Sequence, residues 1–177
     1  MDNNELIKNL RTVPDFPYKG IMFYDVTTLF KNPAAMEEIA DRLYETYKDK
    51  GITKVVGIES RGFIMAPILA VRLGAGFVPV RKPGKLPAET IEQSYDKEYG
   101  KDTIQMHKDA IDENDVVLIH DDLLATGGTM KAACDLVKQL KPKKIMVNFI
   151  LELKELGGRD VFDKDIDVTT ILKVAGK

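Results

Sequence analysis

A doubly wound, mostly parallel α/β sheet in a single domain is the fold this sequence predicts, and three observations predict it. Short apolar runs rich in β-branched residues, at 52–58, 77–80, 116–119 and 144–151, read as strands buried on both faces. Segments with apolar residues at helical spacing lie between them, so strand and helix alternate as in βαβ units. Two of the runs stop abruptly at charged residues and glycine, Glu59-Ser60-Arg61-Gly62 and Asp121-Asp122 ahead of Thr126-Gly127-Gly128-Thr129. In an open α/β sheet, ligands sit at such carboxyl ends of strands, so both could face one crevice.

Bulk properties agree with that fold and exclude several functions. A chain of 177 residues suits one domain spanning 1–177, without a linker or internal repeat. The hydrophobic fraction of 44% and charged fraction of 31% are ordinary, and no 18-residue apolar run is present to span a membrane. A formal charge of −2 gives no broad basic face for nucleic acid, so any phosphate affinity must be local. Asp2 and Glu5 without an apolar stretch do not make a secretory signal, and the single cysteine, Cys134, cannot form an internal disulfide. A cytoplasmic protein is expected, with Cys134 a core residue of a helix.

Residues 1–31 read as an irregular N-terminal arm. From Val13 to Gly20 there are two prolines and a glycine, which predicts an ordered loop and not a strand. Phe23 can pack on the core or offer a flat face to a planar ligand; from residue physics alone, packing is the commoner fate. Asn32 as N-cap and Pro33 at N1 start a helix whose inner face is Met36, Ile39, Ala40, Leu43 and Tyr47, and Gly51 is placed to end it. After the strand at 52–58, the Arg61 fork suits a diphosphate, with a surface ion pair to Glu59 as the plainer alternative. A helix should then reach about Arg72, starting near Ala66 because Pro67 excludes a regular first half, and Gly74-Ala75-Gly76 breaks it. Arg81-Lys82-Pro83-Gly84-Lys85 is a second anion-binding candidate or a solvated charge run. Residues 86–103 are charged and poor in apolar groups. Ile91, Gln93 and Tyr95 set against Ile104 and Met106 suggest a loose hairpin with its tip near Glu98-Tyr99-Gly100, acting as a flexible lid, and His107 as scaffolding at its base. Lys141-Pro142-Lys143 turns into the strand at 144–151, a loop carries Arg159 with no role fixed, and residues 166–174 close the sheet.

The densest signal is the stretch Val116 to Thr129. Gly127 and Gly128 let backbone N–H groups approach a ligand, Thr126 and Thr129 add hydroxyls, and a helix from Met130 would place a bound anion at its N-terminus. Asp121 and Asp122 would repel a phosphate, so they are better suited to sugar hydroxyls or to a metal. The ligand should be a sugar phosphate.

With its apolar run, acidic pair and Ala125-Thr126-Gly127-Gly128-Thr129, this stretch resembles the phosphoribosyl-pyrophosphate motif of the type I phosphoribosyltransferases. Further segments, in order, are similar to the branch that acts on adenine: Pro14-Asp15-Phe16-Pro17 with Gly20-Ile21-Met22-Phe23, Glu59-Ser60-Arg61-Gly62-Phe63, Val80 through Pro87, Glu98-Tyr99-Gly100, and Gly158-Arg159-Asp160. The resemblance implies an α/β phosphoribosyltransferase fold with an N-terminal hood (1–31) and a mobile lid (86–103). It also implies transfer of the 5-phosphoribosyl group from phosphoribosyl pyrophosphate to adenine, giving AMP and pyrophosphate, in a homodimer. Roles follow from the same likeness. Ala125, Thr126, Gly127, Gly128 and Thr129 would hold the 5′-phosphate, and Asp121 and Asp122 the ribose hydroxyls. Ser60, Arg61, Arg81 and Lys85 would bind pyrophosphate, with a cis Glu59–Ser60 peptide. Met22 and Phe23 would border adenine, which reverses the packing expectation for Phe23. Glu98 and Tyr99 would lie on the lid, with Glu98 transferring a proton at the purine and Arg61 and Arg81 serving catalysis. Mg²⁺ would come mainly with the substrate, reaching Asp121 or Asp122 through water. Two positions depart from the pattern: Tyr24 stands where arginine is common, and His120, where the pattern is aliphatic or acidic, is expected to be a strand-end histidine satisfied by neighbouring backbone. Another base, or a regulator that senses phosphoribosyl pyrophosphate without catalysis, is the alternative; a regulator should carry a basic surface or a DNA-binding domain.

Overall fold

The N-terminus opens with a helix. In the computed structural model, which describes residues 1–97 and 99–176, Asp2 caps α1 (Asn3–Lys8). Its carboxylate accepts from the Glu5 N–H at 2.9 Å while the Glu5 carboxylate accepts from the Asp2 N–H at 2.7 Å, a reciprocal capping box. The arm is more regular than expected: β1 (Arg11–Pro14) pairs antiparallel with β2 (Met22–Asp25), and a single turn, α2 (Thr27–Phe30), follows. Prolines are tolerated because Pro14 ends a strand of a two-stranded ribbon and Pro17 lies in its turn, where no ladder bond is required. Tyr24, the departure from the family pattern, donates its hydroxyl to the Ala175 carbonyl at 3.0 Å and moors this ribbon to the last strand.

Asn32 caps α3 (Pro33–Tyr47), accepting from Ala34 and Ala35. The helix stops one turn short of Gly51, which instead takes φ +70° to turn the chain into β3 (Lys54–Ile58). Next comes α4 (Gly62–Leu73), continuous from Gly62 although Pro67 lies inside it, and not a helix beginning near Ala66. Burying Met65, Ala66, Leu69 and Ala70 outweighs a proline penalty of about 3 kcal/mol, since Met and Leu alone each contribute about 1.5–3 kcal/mol. Gly74 ends α4 in the left-handed conformation. The remaining elements are β4 (Gly76–Val80), a hairpin of β5 (Thr90–Asp96) and β6 (Lys101–His107), β7 (Val116–Leu124), α5 (Gly128–Lys138), β8 (Lys144–Lys154), a 3₁₀ turn (Gly158–Val161) and β9 (Asp167–Ala175).

Five strands form one wholly parallel sheet in the order β4-β3-β7-β8-β9. Alternate residues point to two cores. Val55, Leu118, Met146 and Ile150 meet α1, α3 and α4, while Val56, Val117, Ile119, Val147 and Phe149 meet α5 and the hairpin. From β3 the chain crosses to β4 on one side, and later strands add on the other. The carboxyl ends of β3 and β7 therefore flank the topological switch point, where a crevice must open.

The hairpin register pairs Ile91 with Met106, Gln93 with Ile104 and Tyr95 with Asp102, as the alternation implied. Its stem is not loose: Ile104 and Met106 are buried in the second core, so only the tip projects. Under the sheet, in-register residues form a buried polar ladder. His120 Nδ1 lies 2.8 Å from Asn148 Oδ1, Asn148 Nδ2 donates to Thr169 Oγ1 at 3.0 Å, and the Tyr47 hydroxyl meets the same Thr169. His120 is thus partnered by a side chain of the next strand and not by backbone. Burial lowers its pKa, and the Asn148 bond opposes that only in part, so the imidazole is neutral with Nε2 left without a partner. Cys134 is buried and free, its thiol pushed up to about 12 by burial. Among the described residues, no helix is long and apolar enough to cross a membrane.

Candidate functional site

The cradle forms where β7 turns into α5. Gly127 adopts φ +86°, and a Cβ there would stand 2.7 Å from the Gly158 carbonyl oxygen and from Val161 Cγ2, so the loop is seated on the 3₁₀ turn by a contact only glycine allows. No side chain caps α5, which leaves its first-turn N–H groups for a ligand. Ala125, Thr126, Gly127, Gly128 and Thr129 line a recess of about 580 Å³ together with Arg61, Asp121 and Asp122. Arg159, whose role the sequence left open, supports this corner. Its Nε donates to Glu152 at 2.8 Å, and its other nitrogens reach the Val168 carbonyl and Thr170.

The acidic pair is electrostatically divided. The Asp122 residue is 3% exposed, and its carboxylate accepts from Arg61 Nε at 2.5 Å. Asp121 accepts from the Asp122 N–H at 2.8 Å; burial, and then the facing Asp122 carboxylate, raise its pKa well above the usual range. Arg61 therefore does not pair with Glu59, the plainer alternative from sequence. Gly62, which begins α4, would bring a Cβ within 3.0 Å of the His120 carbonyl, so glycine lets Arg61 approach β7 closely enough for the pair.

A second recess of about 240 Å³ adjoins the first and shares Arg61, Asp121, Tyr95, Lys97 and Thr129 with it. Glu59, Arg81, Lys82 and Asp102 complete its polar lining. Arg81 donates to Glu59 at 3.0 Å and lies over the Phe63 ring at 6.0 Å. Burial tends to raise the Glu59 pKa, but the Lys82 N–H and the Arg81 guanidinium hold it below its usual value. Ser60 sits exposed at the turn into α4, after a cis Glu59–Ser60 peptide. Lys85 is exposed and outside both linings, where Lys82 is found instead. On the hood, Met22 and Phe23 are half-buried and belong to neither core; Phe23 packs edge-on against exposed Phe16 at 4.9 Å. Exposed Tyr18 and Tyr99 face each other at 6.4 Å, so hood tip meets hairpin tip. Glu98 lies outside the described residues.

Comparison with known proteins bears directly on this arrangement. A family model described as the phosphoribosyl transferase domain matches residues 25–174. The chain is 71% identical over 176 residues to an adenine phosphoribosyltransferase of Bacteroides fragilis, covering 98% of this chain and 99% of that one. The chain belongs to the adenine phosphoribosyltransferases. Among solved structures, the adenine phosphoribosyltransferase of Rhodothermus marinus superposes with a TM-score of 0.90 at 48% identity, covering 97% of each chain. That of Saccharomyces cerevisiae, complexed with D-2,5-dideoxy-2,5-imino-altritol 1,6-bisphosphate and adenine, superposes with a TM-score of 0.89 at 42% identity, over 96% of this chain and 98% of that one.

As an adenine phosphoribosyltransferase, the chain places the expected cradle, acidic pair, Arg61 and Arg81 around one crevice, while Ser60 and Lys85 are exposed and line neither recess, and Met22 and Phe23 lie on the hood. Lys82 belongs to the anion-binding candidate 81–85 read from the sequence, whereas Tyr95, Lys97 and Asp102 carry no site role in that reading. The hairpin alternation that set Tyr95 inward was the available signal for that residue, because its inward neighbours Ile91 and Ile104 are apolar and a hydroxyl there needs a partner.

Proposed function

We propose that this enzyme transfers the 5-phosphoribosyl group from phosphoribosyl pyrophosphate to adenine, giving AMP and pyrophosphate as a step of purine salvage, and that the residues gathered at the switch point perform it. The observation that carries this reading is the pair of adjoining recesses. One is an uncapped helix N-terminus beside two carboxylates, suited to a ribose 5-phosphate; the other is lined by Arg61, Arg81 and Lys82, suited to a diphosphate.

Breaking the C1′–O bond leaves positive charge on the ribose and negative charge on the departing diphosphate, so stabilising the leaving group matters more than a strong nucleophile. Backbone N–H groups of the cradle fix the 5′-phosphate, and Asp121 and Asp122 accept from the ribose hydroxyls. Arg61 and Arg81 take up the charge of the leaving group, and Ser60 and Lys85, exposed on the loops that follow β3 and β4, are assigned to reach it once it is bound. Adenine, against Met22 and Phe23 of the hood, attacks from the opposite face with inversion. Glu98 is assigned proton transfer at the purine, and Tyr99 helps close the site over it. Two adjacent carboxylates fit a Mg²⁺ ion that arrives on substrate phosphates, since that ion is commonly held by one or two carboxylates and several waters. Mg²⁺ would neutralise the diphosphate. The working form is taken to be a cytoplasmic homodimer, which sedimentation and fractionation would test.

The decisive experiment supplies phosphoribosyl pyrophosphate, Mg²⁺ and, in turn, adenine, hypoxanthine, xanthine or orotate, and measures pyrophosphate release. Release with adenine well above the other bases is expected. Release with no base would instead favour a phosphoribosyl-pyrophosphate sensor.

A further inference from the structure

Asp102 lines the second recess near the start of β6, and the chemistry above gives it no part. Its side chain is 16% exposed and accepts from the ammonium groups of both Lys82 and Lys97, the latter at 2.7 Å. Tyr95 Oη lies 3.2 Å from the same carboxylate and 3.1 Å from Thr129 Oγ1 of the cradle. The Thr103 N–H holds the second carboxylate oxygen at 2.9 Å. Lys82, then Lys97, keep the Asp102 carboxyl well below the usual range, so it is charged under all working conditions.

Two ammonium groups and a tyrosine hydroxyl around one oxyanion are the surroundings a diphosphate oxygen would need. Lys82, Lys97 and Tyr95 all line the diphosphate recess, and all three are engaged by Asp102. We propose that Asp102 is a built-in stand-in for the diphosphate, which occupies Lys82 and Lys97 until phosphoribosyl pyrophosphate displaces it. The inference rests on the phosphoribosyltransferase reading. A carboxylate and a diphosphate cannot both occupy these cations without strong like-charge repulsion. Binding therefore requires the state in which Asp102 has let go, and apparent affinity is reduced by the fraction of molecules in that state. Because Asp102 lies on β6 and Lys82 follows β4, the exchange also releases this side-chain tie between the hairpin and the sheet.

The test compares wild type, Asp102→Asn, Asp102→Ser and Asp102→Glu by steady-state kinetics and by calorimetry with inorganic pyrophosphate. Both neutral variants should lower KM for phosphoribosyl pyrophosphate about five- to tenfold and tighten pyrophosphate to a similar degree. KM for adenine should move less than about twofold, and Asp102→Glu should stay near wild type. Two neutral variants keep the test open should one fold poorly. Unchanged or higher KM for phosphoribosyl pyrophosphate in a folded neutral variant, or a joint rise in both KM values, would overturn the inference. A wild-type protein that binds pyrophosphate but turns over no base would defeat the functional reading alone, and the pyrophosphate titrations would still decide the role of Asp102.

Discussion

The two halves of the crevice offer a phosphate different physics. In the cradle, the donors are backbone N–H groups of one contiguous turn, aimed by Gly127 resting on Gly158, and no side chain caps them. On the diphosphate side the donors are side chains from separate elements, and each cation lining the recess has an internal carboxylate: Arg61 with Asp122, Arg81 with Glu59, Lys82 and Lys97 with Asp102. The first half offers prearranged sites without internal competitors, so its affinity depends on backbone geometry. The second offers cations that substrate must share or win, so its affinity depends on how firmly those pairs hold.

Breaking the cradle should have the largest effect. Gly127→Ala adds a methyl group 2.7 Å from two atoms of the 3₁₀ turn at a backbone angle alanine disfavours. Relief requires the loop to lift from its seat, which misaims every N–H at once. We expect turnover to fall by at least about 1,000-fold, with stability lowered by about 3 kcal/mol in urea titrations. Activity within tenfold of wild type would mean that the cradle tolerates displacement and that its geometry is not the source of binding.

On the other half, Arg61→Ala is the sharpest cut. It removes the proposed leaving-group donor and leaves Asp122, 3% exposed, without its cation. Activity should drop about 100- to 1,000-fold. Stability should fall by only about 1–2 kcal/mol, because the Arg61 side chain is 45% exposed and its pair is partly screened. Arg61→Lys, which keeps charge without the fork, should recover only part of the activity. Full recovery would argue that charge alone, and not bidentate geometry, serves the diphosphate.

The same contrast decides what the sequence makes legible. The cradle was readable because its parts are neighbours in the chain: a β-branched run, two carboxylates, and two glycines before a helix. Caps are legible for the same reason at Asn32, and the Asp2 to Glu5 spacing carries the capping box of α1 as well. Pro14 and Pro67 misled, since proline penalties are local while the ribbon edge and the buried face of α4 that absorb them are tertiary. The diphosphate half was legible as candidates but not as pairs. Nothing near Arg61 in the chain indicates that its partner is Asp122 and not Glu59, and nothing near Lys82 points to Asp102.

Acid should separate the halves with a smaller effect. The folded pKa of His120 is depressed by burial, so its contribution to stability is fully present above the unfolded value near 6.5 and is lost as pH falls below it. The slope from this group cannot exceed about 1.4 kcal/mol per pH unit. Asp102, with its pKa lowered, remains charged across that window, so acid should loosen the His120 ladder before it loosens the Lys82 and Lys97 pairs. His120→Gln keeps a polar partner for Asn148 and cannot titrate. Urea titrations from pH 8 to pH 5 should show wild type losing stability relative to this variant below about pH 6.5. Parallel curves would mean that His120 gains its proton in the folded protein without difficulty.

Tyr95 joins the halves, and its removal should have the smallest effect. The hydroxyl reaches Asp102 at 3.2 Å and Thr129 at 3.1 Å, both long for O–H···O bonds, while the ring packs against the second core. Tyr95→Phe keeps the ring and deletes only the bridge, so stability should change by about 0.5–1.5 kcal/mol. If the bridge merely couples cradle to hairpin, amide exchange should quicken in β5 and β6 but not in β7, and KM for phosphoribosyl pyrophosphate should shift by no more than about threefold. Turnover reduced about 100-fold or more, with exchange unchanged, would show instead that the hydroxyl acts on the reacting phosphates. The two halves would then have to be regarded as one site whose shared donor is Tyr95.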